Sequence, residues 1–202
     1  MAAASGGGGG AGGGIFGKLK RMLGFPRNEV QILVIGLDNS GKTTIINHIK
    51  PKQLQSNEVT PTVGFSVEEF AKDNIHFTIF DMSGQSRYRE LWEHYYRDVQ
   101  AIVYVLDSTD RIRMAVAKDE LEMLLNHKDI QNRNIPVLFF ANKMDLAGAM
   151  QPVDIVDLME LDGIEEKPWH ITRSNALTGA GVDEGVSWLA EHSESAGRKT
   201  RK

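Results

Sequence analysis

The sequence predicts an α/β domain, in which a mostly parallel sheet has helices on both faces and includes one antiparallel hairpin. Strand-like and helix-like segments alternate from about residue 28 to about residue 192, a pattern typical of parallel strands joined by crossover helices. Two of the strand-like segments, residues 101–106 and 135–140, are apolar almost throughout, as expected of strands covered on both faces.

Each element has its own local signal. β-branched apolar residues at 30–35 predict the first strand, and the spacing of apolar residues at 44–49 predicts a helix after it. Alternating residues at 66–70 and 76–80, joined by residues 72–74, predict the antiparallel hairpin. Helical periodicity predicts further helices near residues 112–126, 152–160 and 182–193.

Composition excludes several classes of protein. Of the 202 residues, 41% are hydrophobic and 25% charged, which is ordinary for a globular domain, and the net charge of −4 argues against a broad nucleic-acid surface. The absence of cysteine excludes disulfides, thiolate zinc sites and lipidation on cysteine. No apolar run approaches the ~18 residues of a membrane-spanning helix, and we expect no signal peptide.

The two ends of the chain differ in composition from this domain. Residues 1–14 are almost entirely Ala and Gly, so we expect them to be disordered. Residues 15–25 place apolar side chains on one helical face and cations on the other, which predicts a short amphipathic helix. We expect this helix to bind an anionic membrane surface reversibly or to pack on the domain, and both remain open. Residues 194–202 are predicted to form a basic tail.

The segment 36–43 (G-L-D-N-S-G-K-T) matches the phosphate-loop pattern G-x-x-x-x-G-K-[ST]. It lies between a predicted strand and a predicted helix, which is the context that this motif requires. Backbone amides of such a loop surround a polyphosphate, Lys42 can reach the β- and γ-phosphates, and the Thr43 hydroxyl can bind Mg²⁺. The candidate phosphate-binding residues are Asp38, Asn39, Ser40, Gly41, Lys42, Thr43 and Thr44.

A second motif, D-M-S-G-Q, follows the strand that ends near residue 80. Asp81 is a candidate carboxylate for Mg²⁺, Gly84 can bring its amide to the γ-phosphate, and Gln85 is placed to orient an attacking water. For Asp81 alone, a turn residue at the end of a strand is the alternative.

A third motif, N-K-M-D at residues 142–145, follows the strand ending at residue 141. The Asp145 carboxylate can accept hydrogen bonds from N1–H and the 2-amino group of guanine, which adenine does not offer. Asn142 can serve the opposite ring edge and tie this segment to the phosphate loop, and the Lys143 stem can cover the base. The sequence therefore favours guanine over adenine.

With these motifs in this order, the chain resembles the small Ras-like GTPases, and within them the Arf and Arf-like branch. Residues 36–38, 61–65 and 91–96 resemble the Arf phosphate loop, switch I and the end of switch II. The resemblance implies a P-loop small-GTPase fold with a six-stranded sheet at residues 28–193. It also implies binding of GTP, GDP and Mg²⁺, with Thr62 as a second Mg²⁺ ligand and the Ala176 amide bound to guanine O6.

The resemblance also implies partners. Residues 81–85, 92–96, 124–127 and 168–171 resemble the ciliary Arf-like proteins in particular. This implies a cytoplasmic protein that associates with membranes at the cilium or basal body and recruits an effector coat complex, the BBSome, under control of an exchange factor and a GAP. Three aromatic residues occupy the positions of an effector-binding triad, with core packing as the alternative: Phe65, Phe80 and Tyr95.

The chain departs from the Arf pattern at two places. Ser83 stands where Arf proteins usually have Gly, which restricts the backbone beside Gln85, and Ala2 replaces the glycine that accepts myristate. Arg87 and Arg89 are interpreted as a solvated, partner-facing surface or as an arginine finger in cis; without such a finger, hydrolysis should be slow and depend on a GAP.

Two alternatives to a hydrolysing switch remain. One is a scaffold that binds GTP without significant hydrolysis, which Ser83 allows. The other is a P-loop nucleotide kinase, against which the N-K-x-D motif argues.

Overall fold

The computed structural model describes residues 28–72 and 75–199. Short 3₁₀ segments occur at Lys52–Leu54, Ser86–Tyr95 and Leu161–Gly163. The regular elements are β1 Asn28–Ile35, α1 Lys42–Ile49, β2 Phe65–Lys72, β3 Ile75–Met82, β4 Ala101–Asp107, α2 Met114–Asn126, β5 Val137–Asn142, α3 Pro152–Met159, β6 Trp169–Arg173 and α4 Val182–Lys199.

One six-stranded sheet organises these elements, in the order β2-β3-β1-β4-β5-β6. β2 pairs antiparallel with β3, and every other neighbouring pair is parallel. The predicted hairpin and mostly parallel sheet are confirmed. Because β1, β4, β5 and β6 run parallel, their carboxyl ends open onto the same edge of the sheet, where ligands bind in such folds.

Helices cover both faces of the sheet, as predicted. Ile35 and Tyr104 belong to a buried cluster that also includes Leu121 of α2 and Ile155 of α3. A second cluster on the other face joins apolar residues of the central strands to α1 and α4: Val34, Val103, Val105, Phe140, Ile45, Ile46 and Leu189. The two clusters take alternate residues of the same strands, because successive side chains point to opposite faces.

Two strands in the second half of the chain, β5 and β6, differ from the sequence predictions. The strand predicted at 135–140 begins at Val137, since Pro136 has no N–H and the Ile135 amide bonds back to the Arg133 carbonyl in a turn. No pattern in the sequence predicted β6, a short edge strand in which only Thr172 is fully buried.

The last helix continues to Lys199 rather than ending at residue 193. The prediction rested on the apolar stripe, but a helix that already exists extends at little cost through polar residues, since each added residue brings one hydrogen bond. Residues 194–199 of the predicted basic tail therefore belong to this helix.

The glycine-rich segment 1–14, the predicted amphipathic helix 15–25 and residues 200–202 lie outside the described residues. Within residues 28–72 and 75–199, none of the helices has both the length and the apolar character needed to cross a bilayer.

Candidate nucleotide-binding site

The phosphate loop is a tight turn between β1 and α1. Gly36 and Gly41 have φ of 137° and 97°, values that residues with a Cβ atom rarely adopt. A Cβ at Gly36 would lie 2.2 Å from the Val105 carbonyl oxygen, and one at Gly41 would lie 2.3 Å from Asn142 Nδ2. The loop is thus pressed against β4 and β5, which explains why the motif has glycine at both positions.

This loop borders a cavity of about 330 Å³. Lys42 is 6% exposed, and its Nζ donates to the Leu37 carbonyl oxygen at 2.8 Å. Burial lowers the pKa of Lys42 to about 8, so the ammonium carries an electrostatic cost that an anion in the cavity would relieve. Lining residues are Asp38, Asn39, Gly41, Lys42, Thr43, Thr44, Val59, Thr60, Pro61, Thr62, Ser83, Gly84 and Gln85.

Three oxygen-bearing side chains converge beside the cavity: Thr43 and Thr62 line its wall, and Asp81 lies behind them. Thr43 Oγ1 and Thr62 Oγ1 lie 2.6 Å and 3.1 Å from Asp81 Oδ2, and 2.9 Å from each other. Asp81 is 1% exposed, its buried Oδ1 has no hydrogen-bond partner among the described residues, and burial raises the pKa of its carboxyl group. Hydroxyl and carboxylate oxygens are hard ligands of the kind that Mg²⁺ prefers, so the residues present fit this ion.

Gly84 lies directly against the phosphate loop. A Cβ at Gly84 would be 2.2 Å from both the Asp38 nitrogen and the Leu37 carbonyl carbon. Gln85 follows it at the cavity wall, and its Oε1 accepts a hydrogen bond from Arg87 Nε at 3.1 Å.

Three hydrogen bonds hold Ser83 in this arrangement. Its N–H donates to the Gly64 carbonyl oxygen at 2.9 Å, its Oγ accepts from the Gln85 N–H at 3.4 Å, and its carbonyl accepts from Trp92 Nε1 at 3.1 Å. The serine hydroxyl thus adds a bond to the backbone beside Gln85 that a glycine would lack.

Asn142 joins the base-recognition segment to the phosphate loop, as predicted. Its Nδ2 donates to the Ser40 carbonyl oxygen at 2.7 Å, and its Oδ1 accepts from the Ala176 N–H at 3.0 Å and from Ser174 Oγ at 3.2 Å. One Nδ2 hydrogen remains for a base. The Ala176 amide, expected to meet guanine O6, is bonded to Asn142 in this structure, so a base would have to share or replace that bond.

The other two residues of the motif differ in their surroundings. Lys143 has φ of 64°, and its Nζ donates to Asp107 Oδ2 at 2.6 Å. This bond fixes the aliphatic part of the Lys143 side chain beside the end of β4. Asp145 is exposed, and no hydrogen bond to its carboxylate is found among the described residues. A carboxylate in this condition can accept two donors from a ligand.

Sequence reasoning missed three residues that support this site: Asp107, Ser174 and Arg113. Arg113 Nη1 donates to Asp38 Oδ1 at 3.0 Å and so ties the phosphate loop to the start of α2. Asp107 carries the same signal as Asp81, an Asp at the end of an apolar strand, and could have been found by it. Ser174 and Arg113 have no such local signal.

The three candidate effector-binding aromatics form one cluster beside the hairpin. Ring centroids of Phe80 and Tyr95 lie 4.6 Å apart, and those of Phe65 and Tyr95 lie 5.3 Å apart. Phe65 is 44% exposed, whereas Phe80 and Tyr95 are half-buried against the core. The cluster rests on the core and still presents an apolar edge to solvent.

A phosphate loop, an oxygen cluster suited to Mg²⁺ and an N-K-x-D segment on a sheet of this topology define a P-loop small GTPase. The model of the ADP-ribosylation factor (Arf) family matches residues 16–193. The chain therefore belongs to the Arf family, whose members are GTP hydrolases, and the nucleotide-kinase alternative is set aside.

Individual relatives agree with this assignment. ADP-ribosylation factor-like protein 6 of Danio rerio is 56% identical over 178 residues, which cover 88% of this chain and 96% of that protein. The protein of the same name from Caenorhabditis elegans is 44% identical over 177 residues, covering 88% and 93%. A solved structure of the Arl6 BBS3 small GTPase from Trypanosoma brucei, with the bound nucleotide analogue GppNp, has a TM-score of 0.79 and 43% identity and covers 84% of this chain and 99% of its own.

Proposed function

We propose that this protein is a GTP-dependent switch of the Arf-like type. One observation carries the proposal: Thr62, from the loop before β2, meets Thr43 and Asp81 at the cavity wall, with Gly84 packed on the phosphate loop. Loops held in this way by a γ-phosphate and Mg²⁺ are released when the phosphate is lost, which is how small GTPases change their surface.

Different residues of the site would hold the phosphates, the base and Mg²⁺. The amides of residues 38–44 and the Lys42 ammonium would hold the phosphates, and Asp145, Ala176 and Asn142 would hold guanine. Mg²⁺, held by Thr43 and Thr62 with Asp81 behind them, would neutralise charge on the β- and γ-phosphates. Lys143 would cover one face of the base with its stem.

Hydrolysis is proposed to be slow without a partner. Gln85 lines the cavity and is placed to orient water, but none of the described residues that line the cavity is an arginine. An arginine supplied by a GAP typically adds ~10³–10⁵ in rate. We therefore propose that a GAP ends the GTP state and that an exchange factor begins it.

Partners are inferred from the exposed aromatic cluster and from the relatives. Phe65 presents its ring edge beside the loop that contains Thr62, so its position would depend on the bound nucleotide. We propose that this surface recruits an effector coat complex, the BBSome, and that residues 15–25 bring the GTP form to an anionic membrane. Its site of action would then be the ciliary base, in the traffic of ciliary membrane proteins.

Nucleotide selectivity tests the central proposal. Purified protein with Mg²⁺ should bind GTP and GDP far more tightly than ATP and ADP, and Asn142→Ala should abolish most of that affinity because it cuts the tie between the two loops. Equal binding of adenine and guanine nucleotides would refute it.

Membrane and effector binding need a separate test. GTP-loaded protein should float with liposomes that contain anionic lipid, and GDP-loaded protein should do so to a smaller extent. Removal of residues 1–24 should abolish this co-flotation. Purified BBSome should be retained on the GTP-loaded form alone; retention independent of nucleotide would contradict the switch.

One observation favours a second function, a GTP-dependent scaffold without significant hydrolysis. The Gln85 carboxamide oxygen accepts a hydrogen bond from Arg87 Nε, and this bond competes with an attacking water for the same oxygen. Single-turnover hydrolysis, with and without candidate GAPs, separates the two, because a scaffold would show no cleavage in either condition.

A further inference from the structure

Arg89 connects the beginning of switch II, which here comprises residues 83–95, to helix α2. Its Nε donates to the Gly84 carbonyl oxygen at 3.1 Å, and its Nη1 lies 2.6 Å from Glu120 Oε1. The two side chains are 16% and 15% exposed. Neither interpretation drawn from the sequence describes this arginine, which is neither a solvated surface residue nor a finger in the cavity.

The carbonyl that Arg89 holds belongs to the peptide between Gly84 and Gln85. This peptide sits where the cavity meets the phosphate loop, so close that a Cβ at Gly84 would overlap Asp38. The hydrogen bond to the Gly84 carbonyl therefore holds Gly84 against the phosphate loop and also fixes the position of the Gln85 backbone nitrogen.

Glu120 provides a support that does not depend on switch II. α2 is anchored to the sheet because Tyr104 Oη donates to the Ala117 carbonyl at 2.9 Å, and its start is tied to the phosphate loop through Arg113 and Asp38. Glu120 on this helix therefore has a fixed position, and Arg89 attaches switch II to it.

The surroundings of Arg89 and Glu120 strengthen the interaction between their charges. Because both partners are largely buried, their attraction is weakly screened, and either one left alone would be an uncompensated charge.

We propose that Arg89 and Glu120 form a latch that positions switch II for the triphosphate state, a role that rests on the proposed function. The latch closes only when the Gly84 peptide lies on the phosphate loop, and so it contributes to the preference for GTP over GDP. Arg89 and Glu120 are positioning residues, since they act through Gly84 and not on the nucleotide itself.

Dissociation rates of fluorescent GDP and of the non-hydrolysable analogue GppNHp test the latch in full-length protein. Arg89→Ala and Glu120→Ala should each speed the release of GppNHp about tenfold relative to that of GDP, as expected for a coupled pair. The double variant should be no worse than the weaker single variant, because either change alone opens the latch.

Two matched controls use the same residue types nearby. Arg97→Ala removes an exposed arginine after the same segment, and Glu122→Ala removes an exposed acid of α2; both should leave the GppNHp-to-GDP ratio unchanged. Thermal unfolding should show that the two latch variants destabilise the GppNHp-loaded protein more than the GDP-loaded protein.

Equal acceleration for both nucleotides, equal destabilisation of both forms or an additive double variant would overturn the latch, since a merely structural ion pair behaves in that way. Failure of the proposed function is visible separately: unmodified protein would then show no preference for guanine nucleotides, and the latch would fail with it.

Discussion

Lys42 and Asp145 differ sharply in burial, and the proposed function assigns them to different parts of one nucleotide. Lys42 is almost completely buried, and its ammonium has a backbone carbonyl as its hydrogen-bond acceptor. Asp145 is exposed, with a carboxylate open to solvent. A phosphate would restore the favoured charge of the first residue, whereas guanine would fill the acceptor positions of the second.

The lowered pKa of Lys42 predicts a pH dependence of nucleotide affinity. Since phosphate favours the protonated amine, binding takes up a proton above the pKa of about 8, and affinity falls as pH rises through that value. GDP affinity should fall about fourfold between pH 7 and pH 8.5, as the protonated fraction declines.

The measurement is an equilibrium titration over this range, which is kept below the range in which guanine N1–H itself titrates. Lys42→Arg retains its charge throughout and should lose the dependence. The same slope in Lys42→Arg would show that this amine does not cause the pH dependence.

Asp145→Asn should exchange the preferred base. An amide cannot accept from both N1–H and the 2-amino group, but it can donate to the 2-oxo group of xanthine, so guanine affinity should fall about 100-fold or more while xanthine affinity rises. Competition between the two diphosphates measures this, with Asp162→Asn, an exposed Asp in another segment, as control. A loss for both bases would mean that the variant disrupts the segment.

Loops between elements bring these residues together, and glycine decides how closely they approach. The 3₁₀ segment Ser86–Tyr95 follows a peptide at Gly84 that packs on the loop between β1 and α1. β3 lies next to β1 in the sheet, so the ends of two parallel strands place Asp81 and Gly84 beside the phosphate loop. The contact therefore depends on strand order as much as on the motif.

Gly84→Ala should separate switch II from the phosphate loop. Its Cβ would lie 2.2 Å from backbone atoms of Leu37 and Asp38, which cannot move without distorting the loop. GDP affinity should change little, whereas the preference for GppNHp over GDP should be lost. Gly163→Ala, where a Cβ has nothing within 4 Å, is the matched control, and an unchanged preference in Gly84→Ala would contradict the packing described here.

The residues of the proposed nucleotide site come from two halves of the domain, which meet at the central strands of the sheet. Thr43, Thr62 and Asp81 belong to the half around β1, β2 and β3. In the other half, Asn142 is the last residue of β5, Asp145 lies in the loop after it, and Ala176 follows β6. Asn142 is a direct link between them through Ser40. A nucleotide bound to both halves would add a second link and stabilise the folded state.

Thermal unfolding should report that link. GTP with Mg²⁺ at about 1,000 times its dissociation constant should stabilise the fold by about 4 kcal/mol, and ATP should not. Chelation of Mg²⁺ should reverse part of the gain, because Asp81 then loses the cation that offsets its buried charge. No shift with GTP, or equal shifts with ATP and GTP, would contradict the site.

The sequence by itself determined the parts of this protein that are contiguous in the chain. The phosphate loop, the D-M-S-G-Q segment and the N-K-M-D segment each carry their chemistry within eight residues or fewer, so local spacing was sufficient to predict them. Local patterns also predicted every strand of the sheet except β6. Thr62 and Ala176 lack such a signal and were expected only through resemblance to a family.

Tertiary structure alone decided the contacts between distant residues. Arg89 meets Glu120 across 31 positions, Lys143 meets Asp107 across 36, and the amide of Ala176 meets Asn142 across 34. Such pairs form where strand order and helix packing bring side chains within about 3 Å, a distance at which hydrogen bonds act and which residue spacing does not encode. Periodicity likewise showed which faces are apolar, but the packing of those faces decided which charged groups became buried partners.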